Sequence, residues 1–492
     1  FKDEIKRSEG KVIYNNFFSK RPRGLMAINR QFFLTLKLTL IIASCISVTN
    51  SLADSTKSVI LIIGDGMDDH QITIARNYLV GSRGTLLLDK LPFRGVAQVL
   101  TIDEVSGLPV YVADSANTAT ALATGQVTSR GRIATSAEKD LDLPTIVELA
   151  NRKGYRTGLV TTSSITDATP ASFAAHVSSR YCESPAAMID IVKYGIELGS
   201  CVDDLKVNGG LGSISEQLAK SNVHLLLGGG RQYFTANSEV SQSTAMQLAA
   251  ENGFTIINSW KEIDHLHPND RVLGLFAEEH LPVKLKGEAD RSAEAPKKSM
   301  LNRINNYFGE VTLPSPMNCI ANSNFIDTPT LREMSKMAIK RLSYENRDGF
   351  FLMIESASID KQSHERKPCG SVGELDQLID AVSVALEYAK ENPDTLILVT
   401  SDHTHAAQIV PDKSLFSEYP VPVHTPGKIA RIFTKEGGIL AINYATSNFE
   451  AEEHTGANVP IFGNKVAVSE KLPTYMLQSD VFSFMARYLE LN

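Results

Sequence analysis

Ser115 lies in the run Val112-Ala-Asp114-Ser115-Ala116-Asn117-Thr118-Ala119-Thr120, whose small residues let a substrate come close. The run opens what reads as a helix from Ala119 to Thr124, and helix-initial N–H groups together with the helix dipole favour an anion at such a place. Serine becomes a nucleophile once a base or a metal removes its proton; the plainer reading is a helix cap. Gly64-Asp65-Gly66 sets an acid between glycines that leave room beside its carboxylate, although turn aspartates share that setting. In Glu355-Ser-Ala-Ser-Ile-Asp360-Lys361-Gln-Ser-His364, Asp360 and His364 are spaced to share one face of a helical turn and to aim at one ion. Zinc accepts carboxylate with imidazole, while a surface Asp–His pair is the ordinary alternative. Thr400-Ser401-Asp402-His403-Thr404-His405 and Glu453-His454-Thr455-Gly456 complete the set, with His405 expected to hydrogen-bond a ligand carboxylate. His70, His176, His224, His265, His267, His280 and His424 fall outside these segments and read as structural or solvated.

These residues need a frame that gathers them. Four short apolar runs read as buried strands: Ser58-Val-Ile-Leu-Ile-Ile-Gly64, Gly158-Leu-Val-Thr-Thr162, Gly349-Phe-Phe-Leu-Met-Ile354 and Thr395-Leu-Ile-Leu-Val-Thr400. Helical patterns alternate with them, at 143–153 and at 372–392, where Leu375, Leu378, Ile379, Val382 and Leu386 recur at helical spacing. The alternation predicts an α/β fold with a mostly parallel central sheet and helices on both faces. Ligand groups in such sheets gather beyond the carboxyl ends of the strands. Asp65, Asp167 with Thr169, Glu355 and Asp402-His403 each follow one of the four runs. The stretch at about 202–315 lacks such endings and is expected to be an inserted subdomain packed beside the sheet. Gly228-Gly229-Gly230-Arg231 lacks the Gly-Lys-Ser/Thr ending of a phosphate loop and reads as a turn.

The 492 residues carry a net charge of -7, which argues against a nucleic-acid partner, since that needs clustered Lys and Arg. An anionic substrate must instead meet a local positive site, and metal ions build one. Residues 1–53 read as an N-terminal extension with a secretory segment: Arg30, an apolar stretch from Phe32, then small residues ending at Ala53. Lys37 interrupts the stretch, so no stable membrane association is expected unless Cys45, in Ile42-Ala43-Ser44-Cys45, is lipidated. Residues 54–492 are then a single exported catalytic domain, periplasmic or extracellular. Cys182, Cys201, Cys319 and Cys369 remain, an even number that suggests two disulfides. Of three connectivities, Cys182–Cys201 with Cys319–Cys369 closes the shortest loops.

Asp-Ser-Ala-x-x-Ala-Thr-Ala, Gly-Asp-Gly-Met, Asp-Ala-Thr-Pro-Ala with His-Val-Ser-Ser-Arg, Glu-x4-Asp-Lys-x2-His, Asp-His-x-His and Glu-His-Thr-Gly, in this order over about 55–490, together resemble the bacterial periplasmic alkaline phosphatases. The resemblance implies an alkaline phosphatase-like three-layer sandwich, a homodimer, and hydrolysis of small phosphate monoesters through a phosphoserine at Ser115. It implies two zinc ions and one magnesium per subunit. Asp360, His364 and His454 would hold one zinc, and Asp65, Asp402 and His403 the other. Asp65, Thr169 and Glu355 would surround magnesium, with Asp167 reaching it through water. Arg180 would grip phosphate, held by Asp114, and Lys361 accompanies Asp167 as in one bacterial branch. The cysteines stand where that branch has its two disulfides. Asn117 and Thr118 replace smaller residues and are expected to alter access to the pocket; Ser363 replaces an acid near the zincs. The rival readings are a diesterase or sulfatase of the same superfamily, and an exported metal- or phosphate-binding protein without activity. The segment after Ser115 lacks the sulfatase Pro and Arg, and a mere binding protein needs neither Ser115 nor Arg180.

Overall fold

Along the strand Ser58–Gly64 every residue is buried, and its side chains alternate between two separate cores. Val59, Leu61 and Ile63 enter one core with Phe351, Met353, Leu396 and Leu398. Ile60 and Ile62 enter the other with Phe350, Leu352, Ile354, Ile397 and Val399. A strand apolar on both faces must be covered on both. Helices Ser115–Thr124, Ile146–Arg152 and Gln478–Tyr488 supply the first cover; helices Asp69–Leu79, Leu331–Ser343 and Pro368–Glu391 supply the second. This is the expected three-layer arrangement.

The computed structural model describes residues 56–193, 195–237, 243–414 and 421–491. The expected leader, its cleavage site at Ala53 and Cys45 lie outside the described residues. The central sheet has ten strands. In spatial order they are Tyr475–Leu477, Phe93–Gln98, Val459–Gly463, Thr395–Ser401, Ser58–Gly64, Phe350–Ser356, Arg156–Ser164, Leu225–Gly229, Arg271–Leu275 and Phe254–Ile257. Val459–Gly463 runs antiparallel to both neighbours; the remaining pairings are parallel. The 202–315 stretch divides. Leu225–Gly229, Phe254–Ile257 and Arg271–Leu275 extend the sheet itself, while Leu285–Gly287 and Lys297–Lys298 form small antiparallel pairs beyond it. Gly228 and Gly229 are strand residues, and Gly230, at φ 94°, makes the turn into a short helix.

Local rules account for where the key elements start. Asp114 caps the helix Ser115–Thr124: its carboxylate accepts from Asn117 N at 3.2 Å, and Asn117 Oδ1 accepts from Asp114 N at 2.9 Å. That box starts the helix ahead of the expected Ala119 and puts Ser115 in its first turn. Pro368 suits the first position of a helix, so Pro368–Glu391 begins before the predicted residue 372. Glu355 departs from the expectation that it follows its strand. Its register with Ile63 and Thr161 keeps it inside Phe350–Ser356, near the carboxyl end. Cys182–Cys201 and Cys319–Cys369 are bonded, with Cα atoms 6.5 and 5.3 Å apart. Among the described residues no helix is long and apolar enough to cross a membrane.

The segment leading into Arg180 is anchored by His176. Its Nδ1 faces Ala134 O at 3.0 Å and its Nε2 faces Glu148 Oε1 at 3.0 Å. A carbonyl can only accept, so both nitrogens carry protons when Glu148 is ionised. Burial opposes the charge, but Glu148 and the Ala134 carbonyl outweigh it and raise the His176 pKa. A raised folded-state value means that this contribution is complete below the ordinary histidine value of about 6.5 and is lost as pH climbs through the raised one. Urea midpoints taken across that window should fall with rising pH in the wild type by more than in His176→Gln; equal slopes would exclude the pair as the cause.

Candidate active site and metal centre

The carboxyl ends of three adjacent strands are stitched together. Asp65 N donates to Ser356 O at 3.1 Å. Asp402 Oδ1 accepts from Gly66 N at 3.0 Å and from His403 N at 2.8 Å. Gly66 has φ 66°, a left-handed conformation, and a Cβ there would lie 3.1 Å from Asp360 Cβ. Glycine therefore allows the loop to press against the carboxylate of a neighbouring helix. Above this edge the Ser115 hydroxyl stands 3.1 Å from His403 Nε2 and 3.4 Å from Asp65 Oδ1. His403 Nε2 is in turn 3.3 Å from Asp65 Oδ1 and 3.5 Å from Asp402 Oδ2. The helix Ser358–His364 brings Asp360 and His364 to one face, with His364 Nε2 3.4 Å from Asp360 Oδ2. His454 Nε2 lies 3.3 Å from Asp360 Oδ1.

Three histidines are held in one tautomer by backbone carbonyls. Nδ1 of His364 faces Glu452 O, Nδ1 of His403 faces Thr404 O, and Nδ1 of His454 faces Ala113 O. Each Nδ1 must donate, so in the neutral ring each Nε2 keeps a lone pair turned inward. His364 and His454 present these lone pairs to each other at 3.0 Å, an arrangement that a shared cation makes favourable. His405 is the opposite case. Its Nδ1 accepts from Ala406 N at 2.7 Å, so its proton is on Nε2, 3.3 Å from Asp360 Oδ1. His405 thus approaches the Asp360 carboxylate, but neither its Nε2 nor Asp360 Oδ1 completes a hydrogen bond among the described residues, and its ring is near enough to the other donors to share a cation with them.

The donor set fits divalent metal ions. Ligand atoms of Asp360, His364, His405 and His454 lie within 4.8 Å of one another, as do those of Asp65, Asp360 and His403. Asp360 Oδ1, Asp402 Oδ2 and Thr169 Oγ1 are buried without a hydrogen-bond partner among the described residues. Burial, then the charges of Asp360, Asp402 and Glu355, push the Asp65 carboxyl well up. Burial above all raises Glu355 to about 7, and burial lowers His403 to about 4. Mixed carboxylate and imidazole suit zinc; the Glu355 carboxylate and Thr169 hydroxyl are oxygen donors of the kind magnesium prefers. Asp402 stands outside the second group of ligand atoms, and Glu355 is engaged by the Thr161 and Ser163 hydroxyls.

Arg180 is set between two carboxylates, donating from Nη1 to Asp114 Oδ2 at 3.3 Å and from Nη2 to Asp167 Oδ1 at 3.0 Å. Lys361 Nζ donates to the other Asp167 oxygen at 2.6 Å. Burial would raise Asp167, but Lys361 and Arg180 overcome it and hold the carboxyl far below its usual range. The expectation for Arg180 named Asp114 alone; Asp167 shares the task. Asn117 and Thr118 do not line an access route. Both are fully buried, and Thr118 Oγ1 donates to Asp114 O at 2.8 Å while Asn117 Nδ2 donates to Leu100 O at 3.2 Å. Ser363 points away from the ligands, donating to Ile359 O and accepting from Gln71 Nε2, each at 2.7 Å. Asp68 went unnoticed in the sequence. It caps the helix Asp69–Leu79 through Gln71 N and accepts from His405 N at 3.3 Å, and an aspartate just ahead of a helical run was the available signal.

The alkaline phosphatase family model matches residues 56–414. The streptomycin-6-phosphate phosphatase of Streptomyces griseus is 38% identical over 416 residues, covering 82% of this chain and 84% of that protein. An alkaline phosphatase of Escherichia coli (strain K12) is 36% identical over 425 residues, covering 84% and 82%. In fold, the chain is similar to the alkaline phosphatase of the Antarctic bacterium TAB5, with a TM-score of 0.60 at 23% identity, over 89% of this chain and 99% of that one.

Gly66→Ala should cost about 1–2 kcal/mol from the left-handed backbone and displace Asp360, whose Cα would lie 3.2 Å from the new methyl. Denaturant unfolding together with retained metal after gel filtration reads both effects. Unaltered metal content would show that this contact does not place Asp360.

Proposed function

Because this chain belongs to the alkaline phosphatase family and is therefore a phosphoric monoester hydrolase, we propose that it cleaves small phosphate monoesters through a covalent phosphoserine at Ser115. The observation that carries the reading is the Ser115 hydroxyl, 3.1 Å from His403 Nε2 and 3.4 Å from Asp65 Oδ1, at the start of a helix. Asp360, His364 and His454 would hold one zinc, Asp65, Asp402 and His403 a second, and Asp65, Thr169 and Glu355, with Asp167 nearby, a magnesium. Bound there, the ions would lower the pKa of the serine hydroxyl and neutralise charge on the entering and leaving oxygens.

The chain's own groups do the rest. Arg180 presents paired N–H donors to two phosphoryl oxygens, a match that lysine lacks. Asp114 and Asp167 fix the plane of its guanidinium before substrate arrives, so little order is lost on binding. Lys361 balances the charge of Asp167 and keeps the pocket receptive to a dianion. Ser115 Oγ gives up its proton and bonds to phosphorus opposite the ester oxygen. The bond from phosphorus to that oxygen breaks, and the alcohol leaves after taking a proton. Water then attacks the phosphoserine, the Oγ–phosphorus bond breaks, Oγ regains a proton, and inorganic phosphate departs. We place this activity outside the cytoplasm, as phosphate scavenging by a homodimer; the two disulfides support an oxidising compartment.

Ser115→Ala should lower turnover of a nitrophenyl monoester by roughly 10³-fold or more and abolish acid-stable labelling by radioactive phosphate; persistent labelling would refute the nucleophile. Chelation should remove activity, zinc with magnesium should restore it more fully than either alone, and activity indifferent to chelators would overturn the metal assignment.

A further inference from the structure

His364 and His454 come from segments 90 residues apart in the chain, and a buried ion pair joins those segments. Arg366, two residues beyond His364, is 3% exposed, and Glu452, two residues before His454, is fully buried. Arg366 Nε donates to Glu452 Oε2 at 2.7 Å. The rest of its guanidinium donates to the carbonyls of Glu450 at 2.6 Å, Phe449 at 2.9 Å and Ser447 at 3.2 Å. Glu452 Oε1 accepts from Thr446 N, Thr446 Oγ1 and Ser447 N at 2.5, 2.5 and 2.7 Å. The main chain closes the link: Glu452 N donates to His364 O at 2.9 Å, and Glu452 O faces His364 Nδ1.

Apolar packing does not hold this loop. Among the described residues 445–458, Glu452 alone is buried, and Phe449 is 61% exposed. The shape of the loop up to Glu453 therefore rests on polar contacts converging on one carboxylate and one guanidinium, while His454 and Thr455 beyond it pair as a short strand with His405 and Thr404. Arg366 itself sits at φ 59°, a left-handed conformation uncommon for a residue other than glycine. A buried ion pair is weak evidence of net stability, because desolvation offsets its attraction. Its service is better sought in geometry.

We propose that Arg366 and Glu452 are positioning residues that hold His364 and His454 at the separation their shared metal requires, and so set how tightly that metal is kept. The inference rests on the zinc reading given above. Groups that orient metal ligands commonly change metal affinity by roughly 10–100-fold when removed. Glu452→Gln keeps an oxygen for Thr446 and Ser447 but discards the charge facing Arg366. Arg366→Lys keeps the charge but loses the fork that reaches three carbonyls.

The test is zinc release from the zinc- and magnesium-loaded protein into a chromogenic chelator, alongside thermal unfolding of loaded and stripped protein. One zinc equivalent should leave each variant roughly 10–100-fold faster than wild type. Excess zinc should restore kcat, and the melting temperature of stripped protein should fall less than that of loaded protein. Arg366→Lys carries the test if Glu452→Gln does not fold. Folded variants that release zinc at the wild-type rate, or whose loaded and stripped forms are destabilised equally, would overturn the inference alone. A wild-type protein that binds no zinc would overturn the metal reading beneath it as well.

Discussion

Too much negative charge is buried in one place. Asp65, Asp360, Asp402 and Glu355 are each 5% exposed or less, at the edge of a sheet whose body is apolar on both faces. Isolated ions there would be prohibitively costly, and like charges raise one another's pKa. Burial and neighbouring charge push the Asp65 carboxyl well up, and burial raises Glu355 to about 7, so these two are poor structural glue. The four carboxylates make sense as a cage for cations, and the surrounding fold can be understood as the means of holding that cage open.

The holding is done from outside the ligand set. Backbone carbonyls of Glu452, Thr404 and Ala113 fix the tautomers of three histidines. Backbone amides of Gly66 and His403 occupy one oxygen of Asp402 and leave the other for a cation. His405 Nε2 lies 3.3 Å from Asp360 Oδ1, and Asp68 holds the His405 backbone. These candidate ligands are thus oriented by their surroundings, which would lower the ordering cost of binding a cation. Arg180 is prepared in the same way, bracketed by Asp114 and Asp167, with Lys361 balancing the second carboxylate.

The division of labour within the fold follows from burial. The parallel strands are packed rigidly between two helical layers, so groups at their carboxyl ends have little freedom. His454 instead arrives on a two-residue strand paired with Thr404 and His405, just past an exposed loop that no core backs. A dense polar network takes the place of apolar packing there, and the buried Arg366–Glu452 pair is its centre.

Much of this was legible in the sequence because the signals were local. Four apolar runs marked the strands that carry Asp65, Asp167, Glu355 and Asp402, since a strand buried on both faces must be apolar throughout. The Asp360–His364 spacing read correctly because one helical turn fixes it. Cysteine spacing favoured the pairing that is found. What stayed hidden depended on partners far apart in the chain. Asn117 and Thr118 replace smaller residues and predict altered access to the pocket, yet both side chains are fully buried. Ser363 was placed near the zincs, but Gln71 and Ile359 claim its hydroxyl. Strands within 202–315 could not be assigned to the central sheet, because short pairings of this kind depend on neighbours distant in sequence. Arg366 and Glu452 look like surface charges when read in line. The sequence by itself determined which side chains could bind metal and phosphate, because residue type and local spacing set that chemistry. Only the tertiary structure decided their tautomers, their separations and the contacts that fix them, because those follow from segments that meet through folding alone.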